Sequence, residues 1–195
     1  LAASLLGAVA GVYGVEIYIA GPSAGQLEAR RAYTEAIGAR YDARTMAQVV
    51  ADMRDEGADV MPVFYPRGML RRPAAADGST LYPLAPHAGR TIVHCREEGP
   101  WLLYETDEHG FNNPAGLWGG RGIELALVGD SFAWSVCVPR EESIAGWLRA
   151  RVPATVTVGM SANGPLLMLA TLREYLPRAR PRTVLWFFYE NDLTD

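Results

Sequence analysis

Residues 123–132, IELALVGDSF, decide how this sequence folds. An apolar run ends at Gly129, and the residues after Ser131 have helical character. This order predicts a buried strand, a tight turn and a helix. A serine at such a turn is lifted off the sheet edge and lies near the N–H groups that begin the helix. Ser131 is therefore a candidate nucleophile.

Strands alternate with helices after this turn. Residues 154–158 and 182–189 are predicted strands, and residues 141–151 and 165–176 are predicted helices. Such alternation predicts a parallel sheet, and continuous apolar runs are typical of strands buried on both faces. The carboxyl ends of parallel strands meet at one edge, so we expect the turns after all three strands to gather beside Ser131.

The first half of the chain predicts shorter elements around polar turns. Residues 66–86 are rich in Pro, Gly and Ala, which favours a surface excursion. The predicted helices are 26–38 and 46–57, and the predicted strands are 60–65, 91–95 and 101–105.

The turns after the strands carry groups suited to acyl transfer. That chemistry needs a nucleophile, a base to take its proton, and donors for the developing oxyanion. Ser131 supplies the hydroxyl and one backbone N–H. A backbone N–H of the second turn, residues 159–164, and the side-chain amide of Asn191 are further candidate donors.

With these turns the chain resembles the SGNH, or GDSL, hydrolases over roughly residues 101–195. Residues 129–132 (GDSF), 158–164 (VGMSANG) and 189–192 (YEND) resemble the first, second and third sequence blocks of that family. The resemblance implies a flavodoxin-like three-layer α/β/α fold with a parallel sheet, incomplete in this chain. It also implies that Ser131 is the catalytic nucleophile.

The resemblance assigns the oxyanion hole to the second and third blocks. Its backbone donor falls on Ala162, where the family usually has glycine, and Gly159 is the other candidate. Asn191 matches the oxyanion-hole asparagine. Tyr189 stands where the family usually has another glycine.

The general base is the part of the family pattern that this chain lacks. The family places it in an Asp-x-x-His block, and no such block follows Ser131. We therefore expect the base beyond residue 195 and interpret the chain as a fragment. An alternative base pair is Asp107 with His109, because alginate O-acetyltransferase-like relatives place an Asp-x-His pair before their serine. Residues 107–111 also fit a structural loop.

Residues 1–20 are apolar except for Glu16, and their length is about that needed to span a bilayer. A membrane anchor, an uncleaved signal peptide and a buried soluble helix are the three interpretations. We expect residues 21–100 to form a linker and accessory region. The anchored catalytic domain is then expected on the extracytoplasmic, periplasmic side of a bacterial membrane, whereas Arg30, Arg31 and Arg40 after the span favour the cytoplasmic side, so the orientation stays open.

The charge and the cysteine content indicate which kinds of partner and cofactor to expect. The net charge is −4, which does not favour nucleic-acid binding. Cys95 and Cys137 either form one disulfide, if the domain is extracytoplasmic, or remain two buried thiols. Neither has a partner at metal-ligand spacing, so the sequence predicts no metal site, and the expected chemistry needs no cofactor.

Two functional interpretations follow. The first is an ester hydrolase or O-acyltransferase that acts through a Ser131 acyl-enzyme on small acyl esters or acylated carbohydrate, with acetylated polysaccharide as the candidate substrate that the resemblance suggests. The second is a catalytically inactive, membrane-anchored binding or assembly subunit that keeps the fold. The departures from the family pattern at Ala162 and Tyr189 favour the second interpretation.

Overall fold

The computed structural model describes residues 24–36, 41–66, 83–97, 99–120 and 122–193. The chain divides into two compact units, residues 1–43 with 97–100 and residues 44–96 with 101–195. The first unit contains helix α1 (Ala24–Ala36), and a backbone hydrogen bond of 3.2 Å runs from Asp42 to Gly99.

The predicted membrane span, residues 1–20, lies outside the described residues, as does most of the predicted surface excursion. Within the described ranges, no helix combines the length and apolarity needed to cross a membrane.

The second unit begins with helix α2 (Met46–Asp55), which starts at a capping box. The Thr45 hydroxyl accepts from the Gln48 N–H, and the Gln48 side chain accepts from the Thr45 N–H at 2.8 Å. These bonds satisfy N–H groups that the first helical turn leaves without partners. The helix buries Val49 and Val50 against the first sheet.

The first sheet has three strands, β1 (Val60–Pro62), β2 (Thr91–Cys95) and β3 (Leu102–Glu105). The first two strands are parallel, and β3 pairs antiparallel with β2. The three strands predicted here are confirmed, although β1 is shorter than its apolar run.

The second sheet is fully parallel and has the order β5-β4-β6. Its central strand β4 (Leu125–Val128) pairs with β5 (Thr155–Thr157) on one side and with β6 (Thr183–Trp186) on the other. The helices between the strands are α3 (Ser131–Trp134), α4 (Ile144–Arg149) and α5 (Pro165–Ala179). The predicted mixed α/β class with parallel strands is confirmed, and this arrangement is compatible with a three-layer α/β fold.

The prediction that all three of these strands are buried on both faces is wrong for β6. Strands β4 and β5 are largely buried, but all four residues of β6 are exposed. Trp186, for example, keeps 49% of its surface accessible. Position at an edge does not explain this alone, because β5 is also an edge strand and is buried. Helix α4 packs on β5 and Asn113 bonds its outer edge, and no comparable cover lies over β6 among the described residues.

The main core joins the two sheets. It packs β2 and β3 side chains against those of β4, β5 and the helices around them. Its buried members are Ile92, Tyr104, Phe111, Ile123, Ala126, Val128, Trp134, Val156, Val158, Met160, Met168 and Leu176.

Asn113 covers the free edge of β5. Its side-chain nitrogen donates to the Thr157 carbonyl at 2.9 Å, and its side-chain oxygen accepts from the Thr157 N–H at 2.8 Å. The amide thus makes the two bonds that a neighbouring strand would make, which protects this edge from pairing with another chain.

A disulfide joins Cys95, at the end of β2, to Cys137, just after α3. It therefore joins the first sheet to the segment that follows helix α3. Because the cysteines are 42 residues apart, the bond closes a long loop in the unfolded chain.

We expect the double variant Cys95→Ser with Cys137→Ser to lose about 2–4 kcal/mol of unfolding free energy, because the unfolded chain regains the entropy of that loop. Urea denaturation of the variant and of the oxidised parent measures the difference. Equal midpoints at equal slope would contradict the expectation.

His94 is buried between aromatic rings of the main core. Its ring centroid lies 4.3 Å from that of Trp134 and 5.2 Å from that of Tyr104. Neither of its ring nitrogens has a hydrogen-bond partner among the described residues. Burial lowers the pKa of His94 to about 4, because the charged imidazolium would lose its hydration.

This lowered pKa predicts pH-dependent stability. Between pH 6.5 and about 4 the unfolded chain protonates His94 while the folded chain does not, so stability falls as the pH falls through that window. We expect this residue to account for a loss of about 2 kcal/mol between pH 7 and pH 5. A His94→Phe variant keeps the ring packing and should lose correspondingly less stability in urea denaturation at the two pH values. Equal losses in the parent and the variant would reject the assignment.

Candidate active site

Ser131 lies on the strand-to-helix turn that the sequence predicted. It is the first residue of α3, directly after β4 and the Gly129-Asp130 turn. Asp130 caps the helix by accepting from the Phe132 N–H at 3.0 Å. The Ser131 hydroxyl donates to the same carboxylate at 3.3 Å, and the serine is partly exposed.

Two glycines let the start of α3 press against the ends of the strands. A Cβ at Gly159 would lie 2.6 Å from the Ala133 Cβ and 2.7 Å from the Trp134 nitrogen. A Cβ at Gly129 would lie 2.8 Å from the Ala133 Cβ and 2.9 Å from the Phe187 Cβ. Real side chains do not pack this closely, so only glycine fits at either position.

Backbone hydrogen bonds hold the three strand ends together at this edge. The Met160 N–H donates to the Gly129 carbonyl at 3.3 Å, and the Phe187 N–H donates to the Val128 carbonyl at 2.8 Å. The second and third turns therefore begin beside the turn that carries Ser131.

The two candidate backbone donors of the second turn differ. The Gly159 N–H donates to the Thr157 hydroxyl at 3.2 Å, and that hydroxyl donates to the Ala133 carbonyl at 2.7 Å. The Ala162 N–H has no acceptor among the described residues. The Gly159 N–H is thus already used within the protein, and Ala162 is the candidate donor whose N–H is available.

Ala162 adopts a backbone conformation typical of glycine. Its φ angle is +62°, in the left-handed region that costs a residue with a Cβ about 1–2 kcal/mol. This is the position where the SGNH resemblance expects glycine. The alanine therefore holds this left-handed turn at an energetic cost.

Asn191 lies in a short 3₁₀ helix, Glu190–Leu193, that follows β6, and its side chain is outside the described part of the chain. Asp192 closes this turn, because its carboxylate accepts from the Tyr189 N–H at 2.7 Å and its N–H donates back to the Tyr189 carbonyl at 3.0 Å. The Tyr189 ring packs against Phe132, with centroids 5.1 Å apart, which places the third turn next to α3.

Asp107 and His109 form a structural loop in this geometry. The fully buried Asp107 carboxylate accepts from two backbone N–H groups and two side chains, all at 2.7–2.9 Å. The donors are the N–H groups of His109 and Phe111, the Asn113 amide and the Trp118 indole.

The imidazole of His109 packs against aromatic rings and makes no bond to the Asp107 carboxylate among the described residues. Its centroid lies 4.7 Å from that of Trp118 and 5.6 Å from that of Tyr175. No hydrogen bond joins this ring to Asp107 among the described residues, so the geometry favours the structural interpretation of the pair over the catalytic one. In the same part of the chain, the Ser131 hydroxyl has the Asp130 carboxylate as its hydrogen-bond partner, and no imidazole bonds to it.

A cavity of about 340 Å³ opens beside Ser131, and the sequence patterns did not point to it. Its other lining residues come from the segment that follows the serine, and most are apolar. They are Phe132, Ser135, Val136, Val138, Glu142, Ser143 and Ile144.

Asn163, in the second turn, is a second feature that sequence reasoning missed. Its side chain is fully buried, and neither its oxygen nor its nitrogen has a hydrogen-bond partner among the described residues. Its position within residues 158–164 could have drawn attention to it, but whether its amide is buried can be known only from the folded turn.

Across the described ranges, no three His, Cys, Asp or Glu side chains are grouped so that they could hold a metal ion. Comparison of the chain with protein-family models, with curated proteins and with solved structures finds no match.

The conformation of Ala162 yields a stability prediction. We expect Ala162→Gly to raise the unfolding free energy by about 0.5–1 kcal/mol, because relief of the left-handed strain exceeds the added entropy of the unfolded chain. Ala154→Gly, at a loop position where φ is not positive, is the matched control and should lower stability. Thermal and urea denaturation measure both, and destabilisation by Ala162→Gly would contradict the strain.

Proposed function

We propose that this chain carries the nucleophile and oxyanion-hole residues of an SGNH-type serine esterase or O-acyltransferase that acts on small acyl esters. The observation that carries the proposal is the meeting of the Ser131 turn with a second turn in which Ala162 takes a glycine-like conformation and keeps its N–H free of described acceptors. Both are parts that an acyl-transfer site needs.

The proposed reaction has two halves. A base takes the proton of the Ser131 hydroxyl while its oxygen attacks the ester carbonyl carbon. The resulting oxyanion receives hydrogen bonds from the N–H groups of Ser131 and Ala162 and from the Asn191 side chain. The intermediate then expels the alcohol, which takes up the proton, and leaves an acyl-enzyme. Water or an acceptor hydroxyl attacks this ester and releases the serine. Each oxyanion donor typically contributes about 10²–10³-fold in rate.

The proposed base is a histidine outside the described residues, as the family resemblance implies. The Ser131 hydroxyl donates to the Asp130 carboxylate, which also caps α3 by accepting from the Phe132 N–H. Because Ser131 is partly exposed, the proposed histidine can reach its hydroxyl from the open side of the turn.

We also propose an extracytoplasmic, periplasmic location with residues 1–20 as a membrane anchor and acylated carbohydrate as the substrate class. The disulfide between Cys95 and Cys137 supports this location, since such bonds persist in oxidising compartments.

The second candidate is a catalytically inactive binding or assembly subunit. What favours it is that no described imidazole bonds to Ser131 and that Tyr189 occupies a position where the family usually has glycine.

Covalent labelling separates the two candidates. We expect the full-length protein to react with a fluorophosphonate at Ser131, as found by peptide mass spectrometry, and to turn over p-nitrophenyl esters. Ser131→Ala should lower kcat by at least about 10³-fold, because the nucleophile is lost.

Thr183→Ala removes an exposed hydroxyl at the opposite end of the same sheet and serves as the matched control. Its turnover should equal that of the parent. A folded parent that neither labels nor turns over esters would favour the binding subunit.

A further inference from the structure

The cavity beside Ser131 presents apolar groups to a substrate. Phe132 and Ile144 keep 51% and 37% of their surfaces exposed, and both line it together with Val136 and Val138. Large apolar side chains left in contact with water beside a nucleophile mark a surface that a ligand covers.

The polar lining groups are largely committed to the protein. The Ser135 hydroxyl accepts from the Ile144 N–H at 3.2 Å and lies 3.3 Å from the Phe132 carbonyl. The Ser143 hydroxyl accepts from the Gly146 N–H at 2.9 Å and donates to the Arg140 carbonyl at 2.6 Å. Because these hydroxyls already have hydrogen-bond partners, a polar ligand group would add little binding free energy here, and an apolar group would add more.

The wall of the cavity is held in place from both sides. Cys137, between Val136 and Val138, is bonded to Cys95 on β2. On the other side the Tyr189 ring supports Phe132. A wall that is fixed before the ligand arrives loses little entropy on binding.

We infer that this cavity binds the acyl chain of the ester and selects uncharged chains of about four to eight carbons over acetyl. The inference rests on the proposed function and names its acyl group. A methylene takes up about the volume of a water, about 30 Å³, so a cavity of about 340 Å³ has room for a chain of this length together with the ester. The Glu142 carboxylate at the lining disfavours acyl chains that end in a negative charge.

The first test is the chain-length profile of the full-length protein with p-nitrophenyl acetate, butyrate, hexanoate and octanoate. Burial of one methylene is worth up to about fourfold, so kcat/KM should rise at least about tenfold from acetate to hexanoate. A profile that is highest for acetate would overturn the inference.

The second test fills the cavity. Ile144→Trp should lower kcat/KM for the hexanoate at least about tenfold and leave the acetate within about threefold, because only the longer chain needs the occupied space. Leu166→Trp makes the same kind of change at a side chain that is 83% exposed and does not line the cavity, and it should leave the whole profile unchanged. Equal losses for all esters in Ile144→Trp would overturn the inference.

The two proposals fail in different ways. Turnover with Ser131 labelling but without the chain-length preference rejects the acyl-chain cavity alone. A folded protein with neither turnover nor labelling rejects the proposed function and this inference with it. The profile of the parent needs no variant, so the inference stays open to refutation even if Ile144→Trp does not fold.

Discussion

The close approach of helix α3 to the strand ends is the constraint on which the candidate site depends. Gly129 and Gly159 leave room for Ala133 to sit directly on the ends of β4 and β5. A larger residue at either glycine would push the helix outward, and Ser131 would move away from the second turn. Displacements of about 1 Å can cost about 10²-fold in rate where reacting groups must be aligned.

The hydrophobic pattern of the sequence predicted the strands and helices of the second sheet. The alternation of apolar strands with helices is visible in residues 123–189, and the second sheet follows it. The exposure of β6 could not be predicted in this way, because the apolarity of a strand says nothing about whether another element covers it. Burial depends on which elements pack on a strand, since the two edge strands of this sheet differ: β5 is buried and β6 is exposed.

In the candidate site, too, local features were predictable and tertiary ones were not. The positions of Ser131 and the second turn could be predicted because each follows a clearly apolar strand. The role of Asp107 was open, since an Asp-x-His pair can form a catalytic dyad or fold a loop. Only the four donors that converge on its carboxylate favour the second role. The cavity was missed because its lining runs from α3 to the start of α4 through left-handed conformations at Ser135 and Cys137, which the residue types there do not indicate.

The backbone of Ala162 has a consequence for how such turns are recognised. A motif written in residue types requires glycine there and passes over any chain in which alanine takes the same left-handed conformation. A motif written in dihedral angles, with a positive φ at the donor residue and a serine at the start of the neighbouring helix, would retain such chains. Geometric signatures can therefore group proteins whose turns share a backbone conformation but not a residue type.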